Sequence, residues 1–193
     1  MPTIKPTLHH VTIKTSRLDQ MIAWYTLVIG ADIQFRDGTA CWMTNDAANH
    51  RIAFLAVPGL GDDADKTRHN GMHHCAFEYG SFADLMASYD RMRNAGVEPA
   101  FCLDHGLTIS LYYKDLEGNY VELQSDNFSD WKQSSEWMRT SPDFAANPIG
   151  TFFDPARVYD DFQSGMDFKK LQKAVRAGAY LPDPIPNIGL PTP

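Results

Sequence analysis

The chain has 193 residues, 44% hydrophobic and 12% aromatic, with a formal net charge of −7 and a pI of about 5.4. That balance suits one globular domain with a real core, or two small modules fused around one. It offers no Lys/Arg run of nucleic-acid type and no apolar stretch near the ~18 residues of a membrane span, and the start Met1-Pro2-Thr3-Ile4-Lys5 lacks the basic-then-apolar pattern of a secretory signal.

Residues 8–15 alternate as a strand that opens Leu8-His9-His10-Val11. Ser16 is placed to cap the next helix, with Asp19 three residues on. That helix carries Met21, Ile22, Tyr25 and Ile29 and stops at Gly30. Strand-like runs follow at 33–36, 40–44 and 50–57, the first two joined by the hairpin signal Asp37-Gly38. Segment 58–71 is polar, contains glycine and exceeds a typical connection; it reads either as a linker or as a loop over the mouth of a site. The same order then recurs. A strand at 73–79 opens Met72-His73-His74-Cys75. Ser81 and Asp84 begin a helix with Phe82, Leu85, Met86, Tyr89 and Met92, ended by Gly96. Strands at 98–102, 107–114 and 119–124 follow, the last two divided by Glu117-Gly118.

Both halves are therefore β-α-β-β-β, and in each a tyrosine (Tyr25, Tyr89) stands fifteen residues after the second histidine. The expected fold is α+β: two tandem βαβββ modules, about 5–57 and 71–125, forming a curved sheet cup around a metal site within a domain spanning 1–125. Residues 126–193 form a C-terminal extension, rich in aromatics and turn formers to 165. A helix is expected at about 166–178 and an extended tail from 182, with five prolines in twelve residues. This extension reads as a wrap against the modules or a neighbouring subunit, which is compatible with a homo-oligomer. Cys41, Cys75 and Cys102 are odd in number and lack CxxC spacing. They are expected to be buried, unbridged thiols in a reducing, cytoplasmic setting.

All seven histidines fall at or before position 105, which favours one site. Alternation lets only one member of each pair face the cup. His10 shares a face with Thr12 and Lys14, and His74 with Ala76 and Glu78, but alternation alone does not choose between His9 and His10. Glu122 stands between Val121 and Leu123 in an apolar strand. A carboxylate there is costly to bury unless paired or coordinated; taken alone, it would read as solvent-facing on an edge strand. Two imidazoles and one carboxylate form the set that leaves positions open on non-heme Fe(II), and zinc or Mn(II) accept such donors too.

The run His105, Leu111-Tyr112, Asp115, Gly118 and Glu122, together with the histidine pairs, resembles the type I extradiol ring-cleavage dioxygenases of the vicinal oxygen chelate superfamily. The closest resemblance is to the small one-domain enzymes acting on 2,3-dihydroxybiphenyl-like catechols. It covers residues 8–125, with Leu103 and Leu116 departing from the usual pattern. The resemblance implies an Fe(II) (or Mn(II)) centre held by His10, His74 and Glu122, and so selects the second histidine of each pair. It implies His50 as the acid–base group, and His105 and Tyr112 as partners of substrate oxygens. An exposed turn for His50 and a structural role for Tyr112 are the competing readings. Apolar walls are expected from Phe101, Phe54 and the C-terminal aromatics. The implied partners are a catechol and O2, in aromatic degradation. A glyoxalase-like isomerase or lyase would call for a further acidic ligand, absent from the strand at 50–57, and a small-molecule-binding resistance protein generally lacks the triad.

Overall fold

A computed structural model describes residues 3–188, so the final five residues of the expected extended tail lie outside the described chain. Residues 181–188 carry neither helix nor strand. The chain divides into two compact units, residues up to 64 together with 115–117, and residues 65–114 together with 118 onward.

The first unit runs β1 (Val11–Thr15), α1 (Leu18–Ile29), β2 (Asp32–Arg36), β3 (Ala40–Thr44) and β4 (Ile52–Ala56). Its sheet order is β1-β4-β3-β2, with β1 parallel to β4 and the other pairs antiparallel. Alternation sorts the two faces. Ile13, Cys41, Met43 and Phe54 are buried on the α1 side with Met21, Tyr25 and Val28, whereas Thr12 and Lys14 are exposed. Each large apolar side chain so buried contributes roughly 1.5–3 kcal/mol. Tyr25 meets the Phe54 ring edge-on at 5.0 Å between centroids, and its hydroxyl reaches Asp115 Oδ2 at 3.1 Å.

The second unit repeats the order as β5 (His74–Tyr79), α2 (Phe82–Asn94), β6 (Phe101–Asp104), β7 (Thr108–Lys114) and β8 (Tyr120–Asp126). Then come α3 (Trp131–Thr140), α4 (Pro142–Ala146), β9 (Thr151–Phe152), α5 (Pro155–Gln163) and α6 (Phe168–Arg176). The sheet order is β5-β8-β7-β6-β9, with β5 parallel to β8. α2 buries Leu85, Met86, Tyr89 and Met92 against the face away from Ala76 and Glu78. The two sheets are the expected α+β pair of βαβββ modules, though neither is a closed barrel.

Several expectations are corrected. The strand placed at 98–102 begins at Phe101 and runs to Asp104. Pro99 has no N–H to give a ladder, and pairing starts with Ala100 N donating to Tyr112 O at 2.7 Å. Ser16 does not cap α1: the cap position is Arg17, with no side-chain hydrogen bond, and the Thr15 hydroxyl accepts from Arg17 N at 2.8 Å instead. Ser81 does cap α2, accepting from Asp84 N at 3.1 Å. Cys75 is only half-buried, unlike Cys41 and Cys102. The stretch 126–165, where composition shows aromatics and turn formers but predicts no named element, holds three helices and a strand. Asp130, Ser141 and Asp154 open the helices through side-chain caps, and proline stands in the first turn of α4 and α5. β9 pairs Phe152 with Leu103, so the extension completes the second sheet.

Ser81→Ala should cost about 1 kcal/mol in urea unfolding, as a lost N-cap does. Ser16→Ala should stay within about 0.5 kcal/mol, as an uninvolved surface change does. Equal losses would contradict the cap assignment.

Candidate functional site

Strand register assembles one cluster in the second unit. Ala76 of β5 is opposite Glu122 of β8, Glu122 is opposite Tyr112 of β7, and Tyr112 is opposite Phe101 of β6. Opposed residues share a face, and His74 lies two residues before Ala76, on that same face. β8 lies between β5 and β7, so Glu122 is a central-strand carboxylate, 5% exposed; the solvent-facing edge reading is excluded.

Its oxygens are both engaged. His74 Nε2 stands 3.0 Å from Oε2, and the Tyr112 hydroxyl donates to Oε1 at 2.9 Å. That hydroxyl in turn accepts from His105 Nε2 at 2.9 Å, giving a chain His105–Tyr112–Glu122. Burial alone would raise the Glu122 pKa, but the His74 hydrogen bond and the neighbouring His105 outweigh it and hold the carboxylate below its ordinary value. Burial, aided by the Glu122 charge, drives the Tyr112 phenol well above its usual range, so it stays a donor. Burial lowers the His105 pKa against the opposing pull of Glu122. The Tyr112 ring stacks on Phe101 at 4.4 Å and lies edge-on to His74 at 5.3 Å. Phe152, Ile149 and Ile188 of the extension pack on the same Phe101–Leu103–Tyr112 core.

The first unit gathers the other histidines. His9, His10 and His50 bring ligand nitrogens within 4.8 Å of one another. The His10 and His50 rings are 4.3 Å apart between centroids. His50 is half-buried in the turn before β4 and donates its Nδ1–H to Asn49 Oδ1 at 2.7 Å. Its pKa is lowered, first by burial and then by His10 and His9. Arg51 pairs with Asp46, pulling that carboxyl down to about 2, and also donates to the His9 carbonyl at 3.0 Å. Thus His74, Glu122, Tyr112 and His105 meet in one unit, and His10 and His50 in the other. Of the expected apolar walls, Phe101 does flank Tyr112, but Phe54 is turned to α1 and fully buried.

One residue beside His105 escaped the sequence reading. Asp104 is 1% exposed; its Oδ1 accepts from Gly106 N at 2.7 Å and from Asn127 Nδ2 at 3.3 Å, while Oδ2 is buried with no hydrogen-bond partner among the described residues. The Asp-His-Gly order is an Asx-turn signature that could have flagged it. The turn demands glycine: Gly106 has φ +85°, and a Cβ there would lie 2.2 Å from the Trp137 ring. At Gly150, with φ +95°, a Cβ would come as close to the Asp104 carbonyl oxygen. Asp104 therefore sets the bend that aims His105.

Burial pushes the Asp104 pKa up to about 6 from an ordinary 3.8. The unfolded chain loses this proton near pH 4 and the folded chain only near 6, so this group's ionisation erodes stability as pH rises through that window, by about 2–3 kcal/mol. Asp104→Asn, which keeps an acceptor at Oδ1, should be more stable than the parent at pH 8, with the gain shrinking to nothing below pH 4. A gain independent of pH in thermal melts would refute this.

Comparison with known proteins places these features in a family. Residues 7–123 match the model of the Glyoxalase/Bleomycin resistance protein/Dioxygenase superfamily. The chain is 34% identical to biphenyl-2,3-diol 1,2-dioxygenase 2 of Rhodococcus globerulus over 97% of its own length and 98% of that protein. It is also 34% identical to biphenyl-2,3-diol 1,2-dioxygenase 3 of the same organism over 88% of each. Among solved structures, a glyoxylase/bleomycin resistance protein/dioxygenase domain from Frankia sp. EAN1pec is similar in fold, with a TM-score of 0.53 at 20% identity, covering 64% of this chain and 100% of that one. The FosX fosfomycin resistance protein of Listeria monocytogenes gives 0.50 at 18% identity, covering 64% and 96%. With its paired βαβββ modules and these matches, the chain belongs to the glyoxalase/bleomycin resistance protein/dioxygenase superfamily.

Proposed function

We propose that this protein is an Fe(II)-dependent extradiol dioxygenase that inserts both atoms of O2 into a catechol such as 2,3-dihydroxybiphenyl and opens its ring. The observation that carries the reading is the His74–Glu122 pair, on a chain alike in length and sequence to two biphenyl-2,3-diol 1,2-dioxygenases.

The donor set fits a divalent ion. Two donors each ~2.1 Å from one ion and at right angles to each other stand ~3.0 Å apart, the separation of His74 Nε2 and Glu122 Oε2. A buried carboxylate held ionised is the charge partner such an ion needs. His10 is the third ligand in this reading, by the repeat that gives each module a histidine at the start of its first strand. The register supplies a further argument. In β5–β8 the residue opposite Ala76 is Glu122, whereas in β1–β4 the residue opposite Thr12 is Ala53. The first module thus has no carboxylate at the matching position, and a three-ligand set leaves faces open for substrate and O2. A glyoxalase-like isomerase, with its further acidic ligand, is not favoured on the same ground.

Bound iron would supply a Lewis-acidic, redox-active centre that acidifies the catechol and brings it and O2 to one point. The protein's own groups do the rest. His50, kept neutral at pH 7 by its lowered pKa, accepts a phenolic proton and returns it later. Tyr112, kept protonated by burial beside Glu122, turns its one O–H from Glu122 Oε1 to a developing oxyanion, supported by the His105 N–H behind it. Manganese(II) would be held by the same donors.

Iron loaded anaerobically should let the protein consume one O2 per 2,3-dihydroxybiphenyl and form a yellow product; metal binding without oxygen uptake would contradict the reaction class. His74→Ala and Glu122→Ala should lose iron while keeping the fold, and full iron occupancy in either would refute the ligand set. His50→Gln should retain iron and slow turnover by about 10²–10⁴-fold, and an unchanged rate would remove its role.

A further inference from the structure

The ligand reading uses one histidine of each pair and leaves His9 and His73 without work. Both pairs nevertheless make the same contact. His9 Nδ1 lies 3.1 Å from His10 Nδ1, and His73 Nδ1 lies 2.8 Å from His74 Nδ1. In each pair the rings cross at 85°, with centroids 5.3 and 5.1 Å apart. Neighbours within a strand point to opposite faces and cannot bond side chain to side chain. Here the geometry is open because β1 starts only at Val11 and β5 only at His74, so the first histidine of each pair is outside the ladder.

The first histidines are themselves fixed. The His9 carbonyl is held by Arg51, which Asp46 anchors through two nitrogens at 2.8 and 2.9 Å. The His73 ring lies against Tyr120 at 5.4 Å and 32°. A repeated contact with independent anchoring in each copy is not what two idle exposed rings would show.

The chemistry gives the contact a purpose. A neutral imidazole that presents Nε2 to an ion must carry its proton on Nδ1. When His74 gives the Nε2 lone pair beside Glu122 to the ion, its one proton sits on Nδ1, and the Nδ1 of His73, 2.8 Å away, can accept it. We infer that His9 and His73 are positioning residues, each accepting the Nδ1–H of the histidine that follows and so fixing its tautomer and ring rotation with Nε2 toward the ion. The inference rests on the reading of His10 and His74 as ligands. Such outer partners are worth about 10–100-fold in metal affinity.

The test is the Fe(II) dissociation constant, measured anaerobically by competition with a chromophoric chelator. The variants are His73→Ala, His73→Asn and the same pair at His9, with apo-protein melting followed in parallel. Alanine should weaken iron binding by about 10–100-fold with the apo melting temperature unchanged. Asparagine, whose Oδ1 accepts where Nδ1 stood, should recover most of that loss; a merely structural role would not show this rescue. Alanine variants binding iron as the parent does, or asparagine no better than alanine, would overturn the inference. Glu122→Gln separates the two levels: if it too keeps parental affinity, the ligand reading fails; if it alone loses iron, only the positioning role does.

Discussion

The second unit is organised by one costly feature, a carboxylate buried in the middle strand of its sheet. An ionised Glu122 at 5% exposure is tolerable only with partners on both oxygens, and the strand register provides them. Parallel β5 brings His74 alongside, and antiparallel β7 brings Tyr112 directly opposite. Phe101 stacks on Tyr112 from the next strand out, and Asp104 shapes the bend that lets His105 back the phenol. The extension continues this layer: β9 extends the sheet past β6, and Phe152, Ile149 and Ile188 cover the Phe101–Tyr112 core. Residues far from the site in sequence thus hold its geometry by packing.

The two halves repeat one order of elements but are not equivalent. Each copy places a histidine pair at the start of its first strand, and each has a buried tyrosine on its helix, Tyr25 and Tyr89. They part at the strand paired with the first: Ala53 in one copy, Glu122 in the other, at matching register. One module has kept an imidazole with a small apolar neighbour, while the other carries both an imidazole and the anion. On the proposed ligand set, that asymmetry would leave coordination positions open on the ion.

The modules were legible because their signals are local: period-two alternation, a Gly after each helix, Asp37-Gly38 at the hairpin. Glu122 stood out as a carboxylate inside an apolar run. The misses were competitions between local signals. Ser16 read as a cap, but Thr15, one residue earlier, took the bond to Arg17. The aromatic density of 126–165 masked three capped helices whose Asp130, Ser141 and Asp154 signals were present all along. Phe54 was assigned to the open face because alternation gives parity and not direction; the contact with Tyr25 decides it. Asp104 was overlooked because its neighbours are distant in sequence: Asn127 donates to its carboxylate and Gly150 faces its backbone carbonyl.

The most direct test of the central claim is anomalous scattering at the iron edge from crystals loaded with Fe(II) without oxygen. The account predicts one iron per chain, bonded to His10 Nε2, His74 Nε2 and a Glu122 oxygen. Iron bound by His9, His10 and His50 alone, with Glu122 still paired only to protein groups, would contradict it.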